Sequence, residues 1–429
     1  DVDTQTPQNF ALFVRGGSLM HGIVRFMHIA VFTDYYLPTL GGVQTSIKAQ
    51  KDTLEAAGHT VTVFCPLHEP SDDPTVVRLP TSSVIKPDGY PFCWPPRKVI
   101  NAGVSSIEKL GDIDIIHVHS EMGAAFAGVR ASEIFNIPLV QSMHTRIDAY
   151  VRDVLPMPHV SSIWLAWMHK HFVPRSSISL EQASYTRTRL ARRMWRVMVS
   201  QANHAQHVIV PSHHFAQKLQ DQGVTKPLTV LSNGLDPSLV DKLHTSSPRH
   251  YSPGEDLRIL WCSRMSNEKR PLVFLKAMKQ LPDSVTVDMY GDGPNLPSVR
   301  RYIKHHRLGD RVHLHGGVPQ STVVEAMRDH HIFVLSSYDF DNQPMTLLEA
   351  TAAGTPVVYC DADLGEVIPD DGGLLTNKPF AKNIAEAIRY LLENPSQVST
   401  MSSHMLNSQT RTVQSPLTEQ LLGIYESLR

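Results

Sequence analysis

The chain has 429 residues, too many for one ordinary core, and this length predicts two or three domains. With 41% hydrophobic and 19% charged residues it belongs with globular rather than disordered or collagen-like chains, and a formal charge of −1 gives no global pull toward nucleic acid. Its 4 cysteines, Cys65, Cys93, Cys262 and Cys360, lie far apart without a CxxC pair, which argues against a disulfide framework or structural zinc and fits a reducing compartment.

The opening "DVDTQTPQNFALFVRGGSLMHGIV" carries acids and polar residues at its front and only a short apolar patch, unlike a signal peptide. We expect residues 1–24 to be a disordered tag or extension. No apolar run approaches the roughly 18 residues that cross a bilayer, so a cytoplasmic protein is expected. "MHIAVFT" (27–33) reads as a strand, followed by a loop with Pro38, Gly41 and Gly42 and by the helical pattern of "VQTSIKAQKDTLEAAG". Further strand-like runs come at "HTVTVFCP", "DIIHVH", "IPLVQSM", "HVIVPS" and "LTVLSNG", mostly separated by helical stretches. Such alternation predicts a parallel sheet with helices on both faces.

Between these runs, "VSSIWLAWMHKHFVPR" brings Trp164, Trp167, Met168 and Phe172 together, and "TRTRLARRMWRVM" supplies Arg187, Arg189, Arg192, Arg193 and Arg196. Aromatic residues beside clustered arginines in a near-neutral chain suit an anionic membrane surface; they equally suit a core-facing helix with a solvated basic side. No nucleic-acid-binding fold accompanies the patch.

The polar segment "HTSSPRHYSPGED" (244–256) reads as a linker between an N-terminal domain (25–243) and a C-terminal one (257–410). Alternation then restarts with "LRILWCS", "VTVDMYGDG", "RVHLHGG", "HIFVLSS", "TPVVYC" and "GGLLT". Residues 411–429, with "LTEQLLGIYESLR", predict a closing helix. Two doubly wound domains place ligands in the cleft at the carboxyl ends of their strands.

Three sites fall at such strand ends. Gly41-Gly42 lets backbone N–H groups approach a ligand at a helix start, although most glycine pairs are only turns. In "CSRMSNEKRP", Arg264 and Lys269 leave the strand together before Pro271 opens a helix; two cations there suit a diphosphate, and also describe an ordinary basic loop. In "SYDFDNQPMTLLEATAAGTPVV" (337–358), Pro344 and Gly354 bound a short helix, Asp341 precedes it and Glu349 lies inside it. Two carboxylates there can accept from the hydroxyls of a ligand along the helix start, or be one helix-end acid and one solvated glutamate. Asp361-x-Asp363 is read as a surface loop, and His117-x-His119 as ordinary histidines lacking a third ligand. "YGDGP" lacks the full dinucleotide fingerprint.

Taken together, Gly41-Gly42, Arg264 with Lys269, "YGDGP" (290–294) and an acid-x7-Glu pair leading into "EATAAGTPVV" resemble the retaining glycosyltransferases of the GT-B fold, in the large family-four group. The resemblance implies an α/β architecture of two Rossmann-like domains facing across a cleft, with the C-terminal helix closing on the first. It further implies a UDP- or GDP-sugar as a substrate, no cofactor and no metal. By the same resemblance, Arg264 and Lys269 would neutralise the diphosphate, Glu349 would bind the ribose and Asp341 the sugar. Gly41, Gly42 and Gly291 would line the donor, and His144 would contact the sugar near its reacting carbon. A front-face displacement assisted by the leaving phosphate is the implied route. Aspartate at 341, where glutamate is usual, and Pro344, where glycine is common, leave the donor sugar open.

"MHTRIDAYVRDVLP" is similar to the acceptor region of glycolipid-forming members, which points to a lipid acceptor such as diacylglycerol. Trp164, Trp167, Arg192, Arg193 and Arg196 would then meet the acceptor or an anionic inner membrane face, without any nucleic acid. Two competing readings are a sugar-nucleotide epimerase of similar architecture and a catalytically weak binding or scaffold member.

Overall fold

A computed structural model describes residues 26–429 except 38–40, 83–85, 87–90, 175–177, 245–246 and 253. The expected extension at 1–24, Pro38 and parts of the 244–256 linker lie outside the described residues. The first half forms seven strands: β1 (His28–Phe32), β2 (Thr60–Pro66), β3 (Val76–Leu79), β4 (Ile115–Val118), β5 (Leu139–Ser142), β6 (His207–Val210) and β7 (Leu228–Val230). They pair in parallel in the order β3-β2-β1-β4-β5-β6-β7.

The second half forms β8 (Leu257–Cys262), β9 (Val285–Tyr290), β10 (Val312–Gly316), β11 (Ile332–Leu335), β12 (Val357–Tyr359) and β13 (Gly373–Leu375). Their order is β10-β9-β8-β11-β12-β13, again all parallel. Both sheets are GT-B-like in layout, and the second contains every strand expected from its sequence. β3 was not anticipated: it is a short edge strand after the polar turn at Ser71–Asp73, too brief to give its own periodic signal.

Burial on both faces explains why these strands read as continuous apolar runs. In β1, Ile29 and Val31 point into one core, and Ala30 and Phe32 into the other. Phe32 stacks on Phe64 at 4.4 Å. Burying each such ring contributes on the order of 1.5–3 kcal/mol. The Gln414–Glu426 helix returns to the first domain, where Leu421, Ile424 and Tyr425 share a core with Ile29, Val31 and Ile47. Among the described residues no helix is long and apolar enough to cross a membrane.

Asp361 departs from expectation. It is buried at 7% exposure, and its carboxylate accepts from the N–H groups of Asp339 (2.7 Å) and Asp363 (3.1 Å). It caps the short turn Ala362–Glu366 and ties that turn to the 339 loop.

Candidate functional site

Three strand-end loops of the first domain and two of the second meet at a cavity of about 540 Å³. From the first domain come Gly41 and Gly42 after β1, His119 to Met122 after β4, and His144 and Thr145 after β5. From the second come Arg264, Glu268 and Lys269 after β8, together with Phe340. Phe92, Ile147, Leu155, Trp164 and Leu165 make much of the remaining wall apolar.

Gly42 opens the Gly42–Ala56 helix, whose first N–H groups have no side-chain cap. A Cβ at Gly42 would lie 3.2 Å from the Met345 side chain, so the missing side chain lets the two domains approach. Uncapped N–H groups at a helix start favour an anion. On the facing wall, Pro271 begins the Pro271–Met278 helix and Arg270 sits just before it in the left-handed region. That turn sends Lys269 to Asp341, Nζ to Oδ1 at 2.5 Å, with the ammonium 5.4 Å from the Phe340 ring centre. The other oxygen of Asp341, Oδ2, is buried and has no hydrogen-bond partner among the described residues. Unpaired buried carboxylate oxygens cost about 1–3 kcal/mol or more, so such a site awaits a donor.

Asp341 belongs to a loop stitched to the opposite domain. Asn342 Nδ2 donates to His144 O at 3.0 Å, Gln343 Nε2 donates to Ser232 Oγ at 2.7 Å, and Gln343 Oε1 accepts from Asn233 N at 2.7 Å. Asp339, in the left-handed region at φ 52°, receives Arg146 at 2.5 Å and Arg152 at 3.1 Å. The loop therefore reaches the first domain while the next residues enter the Met345–Ala353 helix behind Pro344. That helix ends at Gly354, φ 68°, where a Cβ would collide with Leu406.

His144 stacks on His119, and its Nε2 lies 2.9 Å from His119 Nδ1. Behind them, His117 bonds Tyr425 OH at 2.6 Å and Ser142 Oγ at 2.7 Å. Burial pushes His144 down to about 4 and His119 well below its usual range, so both rings are neutral near pH 7. A neutral imidazole can donate to or accept from a ligand hydroxyl without adding positive charge to the cavity.

Glu349 lies off the cavity wall, inside the Met345–Ala353 helix near Cys262 and Gln320. Burial of its carboxyl raises it to about 7. Gly291 also lies off the wall. With φ 127° it passes so close to β8 that a Cβ would meet Ser263 O at 1.9 Å, and this closeness fixes the Arg264 turn.

The Pro158–Phe172 helix has two useful faces. Ser161, Trp164 and Leu165 line the cavity, while Val160, Ile163 and Trp167 are 58%, 56% and 63% exposed, with Met157 before them at 70%. The Arg189–His204 helix packs beside it; Arg192 and Arg196 are exposed, and Arg193 donates to Ser162 Oγ at 2.6 Å.

Two family models match the chain. One, described as Glycosyltransferase Family 4, covers residues 40–239, and the other, described as Glycosyl transferases group 1, covers residues 245–411. The chain belongs to the family-four GT-B glycosyltransferases. This glycosyltransferase is 23% identical over 396 residues to an alpha-monoglucosyldiacylglycerol synthase of Acholeplasma laidlawii, spanning 88% of this chain and 91% of the relative. It is 25% identical over 347 residues to the synthase of the same name from Streptococcus pneumoniae, spanning 77% and 70%. In fold it is similar to a sucrose-phosphate synthase of Thermosynechococcus elongatus, with a TM-score of 0.70 at 19% identity over 94% of this chain and 99% of that one. Anabaena Alr3699/HepE, solved with UDP, gives a TM-score of 0.67 at 18% identity over 94% and 100%.

Of the residues that sequence reasoning named, Gly41, Gly42, His144, Trp164, Arg264 and Lys269 line the cavity, whereas Asp341, Glu349, Gly291, Trp167, Arg192, Arg193 and Arg196 are not among its lining residues. Sequence reasoning did not name Asp34, Glu121, Tyr35 or Tyr150, which line it too. Asp34 and Glu121 follow β1 and β4 directly, so position at a strand end was the available signal.

Proposed function

We propose that this glycosyltransferase moves a hexose from a nucleotide-diphosphate sugar to a hydroxyl of a membrane lipid, with retention and without a metal. The observation that carries this reading is one cavity with two cations on one wall and a largely apolar opposite wall built partly by a helix with an exposed apolar face. Arg264, Lys269 and the Gly42–Ala56 helix start would hold the diphosphate, Glu349 the ribose and Asp341 the hexose. On donor binding, Lys269 exchanges Asp341 for phosphate oxygen, and Asp341 is freed to accept from sugar hydroxyls. The bond from the anomeric carbon to phosphate breaks, the bond to the acceptor oxygen forms on the same face, and the hydroxyl proton passes to the departing phosphate. The two cations stabilise that leaving charge, and the bound geometry supplies the rest.

A hydroxylated amphiphile suits the other wall: its head enters among polar loops and its chains leave past Trp164 and Leu155 toward Met157, Val160, Ile163 and Trp167. Exposed apolar residues beside Arg192 and Arg196 suit an anionic leaflet, which would place the protein on the inner membrane face. The names of two relatives, monoglucosyldiacylglycerol synthases, support the same acceptor class. The test is transfer of radiolabelled hexose from UDP-glucose or GDP-mannose to dioleoylglycerol in mixed micelles, with EDTA present. An α-linked glycolipid is expected, and donor alone should stay unconverted. Conversion of donor without acceptor, or dependence on added metal, would overturn the reading.

A further inference from the structure

Glu121 follows β4 and precedes the Ala124–Phe135 helix, and it lines the main cavity on the first-domain wall. Its Oε1 is buried and has no hydrogen-bond partner among the described residues. Its acidic neighbour Asp34, only 8% exposed, is in the opposite condition: Asp34 Oδ1 accepts from Ala124 N at 2.9 Å. One acid is therefore spent on holding the loop, and the other keeps an oxygen in reserve on a wall it shares with His119, Ser120 and the apolar Phe92, Leu155 and Trp164. The donor cations Arg264 and Lys269 lie across the same cavity.

From this geometry we infer that Glu121 is the residue that recognises the acceptor's free hydroxyl, accepting its hydrogen bond in the bound complex and setting the hydroxyl oxygen toward the donor, before that hydrogen turns to the departing phosphate as transfer proceeds. The inference rests on the reading of the acceptor as a hydroxylated amphiphile and names the group that selects it. Burial and the nearby Asp34 push the Glu121 carboxyl up to about 8, so the neutral acid dominates near pH 7. A neutral carboxyl offers one acceptor oxygen and one O–H, which matches an alcohol that must give its hydrogen while leaving a lone pair free. A site built around such a bond rejects an analogue that lacks the hydroxyl, because the buried oxygen is then left unpaired.

The test is a binding titration followed by thermal shift, independent of turnover. Wild type, Glu121→Ala and Glu121→Gln are each titrated with UDP, with 1,2-dioctanoylglycerol and with its 3-O-methyl ether. Wild type should bind the free alcohol at least tenfold more tightly than the ether. Glu121→Ala should lose that preference by weakening the alcohol alone, with the UDP constant within twofold of wild type. Glu121→Gln keeps an acceptor oxygen and should retain part of the preference, and it also serves should the alanine variant fold poorly. Equal binding of alcohol and ether by wild type, an unchanged preference in both variants, or a parallel loss of UDP binding would each overturn the inference. Absence of UDP binding in wild type would instead count against the donor reading, since the alcohol-to-ether comparison does not involve the nucleotide.

Discussion

At the scale of single residues, Glu349 gives a pH-dependent signature. Its carboxyl is raised from about 4.5 to about 7 by burial, so between those values the folded chain keeps a proton that the unfolded chain has released. Stability from this group is therefore full below about 4.5, falls as the pH rises to 7, and is flat above. The ceiling on that loss is about 3 kcal/mol. Glu349→Gln removes it, so the variant's melting temperature should exceed wild type at pH 8 and converge with it near pH 4.5. Nucleotide affinity should move the other way: ribose hydroxyls donate best to the ionised acid, so wild-type UDP binding should strengthen through pH 7 while the glutamine variant stays weak and flat. Scanning calorimetry and titration across pH 5–8 check both.

The same scale shows what the sequence could reveal. Arg264, Lys269 and Gly42 were readable because they sit at strand ends in spacings that a diphosphate explains. Glu121 was not named, because its strand-end position is shared with many ordinary loop acids; its unpaired oxygen in a cavity is what singles it out. Asp361 misled because it was read with Asp363 as part of a surface loop, while its carboxylate accepts from the N–H of Asp339, which is distant in sequence.

At the scale of elements, the Pro158–Phe172 helix makes the membrane reading testable. Ile163 and Trp167 touch water, so replacing both with glutamate should leave the melting temperature within about a degree, as surface changes usually do within 0.5 kcal/mol. Flotation with anionic vesicles should fall several-fold, and with it transfer to lipid but not UDP binding. Unchanged flotation would remove the membrane role from this helix. Arg192→Ala with Arg196→Ala should lower flotation less, and only at low salt, as expected of screened charges. Strands of five or six mostly apolar residues such as β1, β8 and β9 were legible; β3 was not, since four residues on a sheet edge, only Leu79 of them buried, fix little hydrophobic pattern.

At the scale of the whole molecule, alternation and the polar break at 244–256 were enough to foresee two parallel sheets. The ties between them were not foreseeable, because Arg146 and Asp339, or His117 and Tyr425, are each joined by folding alone. Tyr425 shows how the returning C-terminal helix reaches the site: its hydroxyl holds His117, whose ring packs tilted against His119, which bonds His144. Tyr425→Phe leaves a buried imidazole nitrogen without its partner and should cost about 1–3 kcal/mol, read as a lower melting temperature. A transfer rate that falls further than the lost stability explains would show that the chain of rings also orients His144.

The donor reading depends on a diphosphate seated between Arg264 and Lys269. The most direct measurement is calorimetric titration of wild type, Arg264→Ala and Lys269→Ala with UDP and UMP, or with GDP and GMP if guanine binds better. The prediction is a diphosphate preference of at least tenfold in wild type that each substitution largely abolishes, with monophosphate affinity nearly unchanged. Equal affinity for the two nucleotides in wild type, or a preference that survives both substitutions, would contradict it.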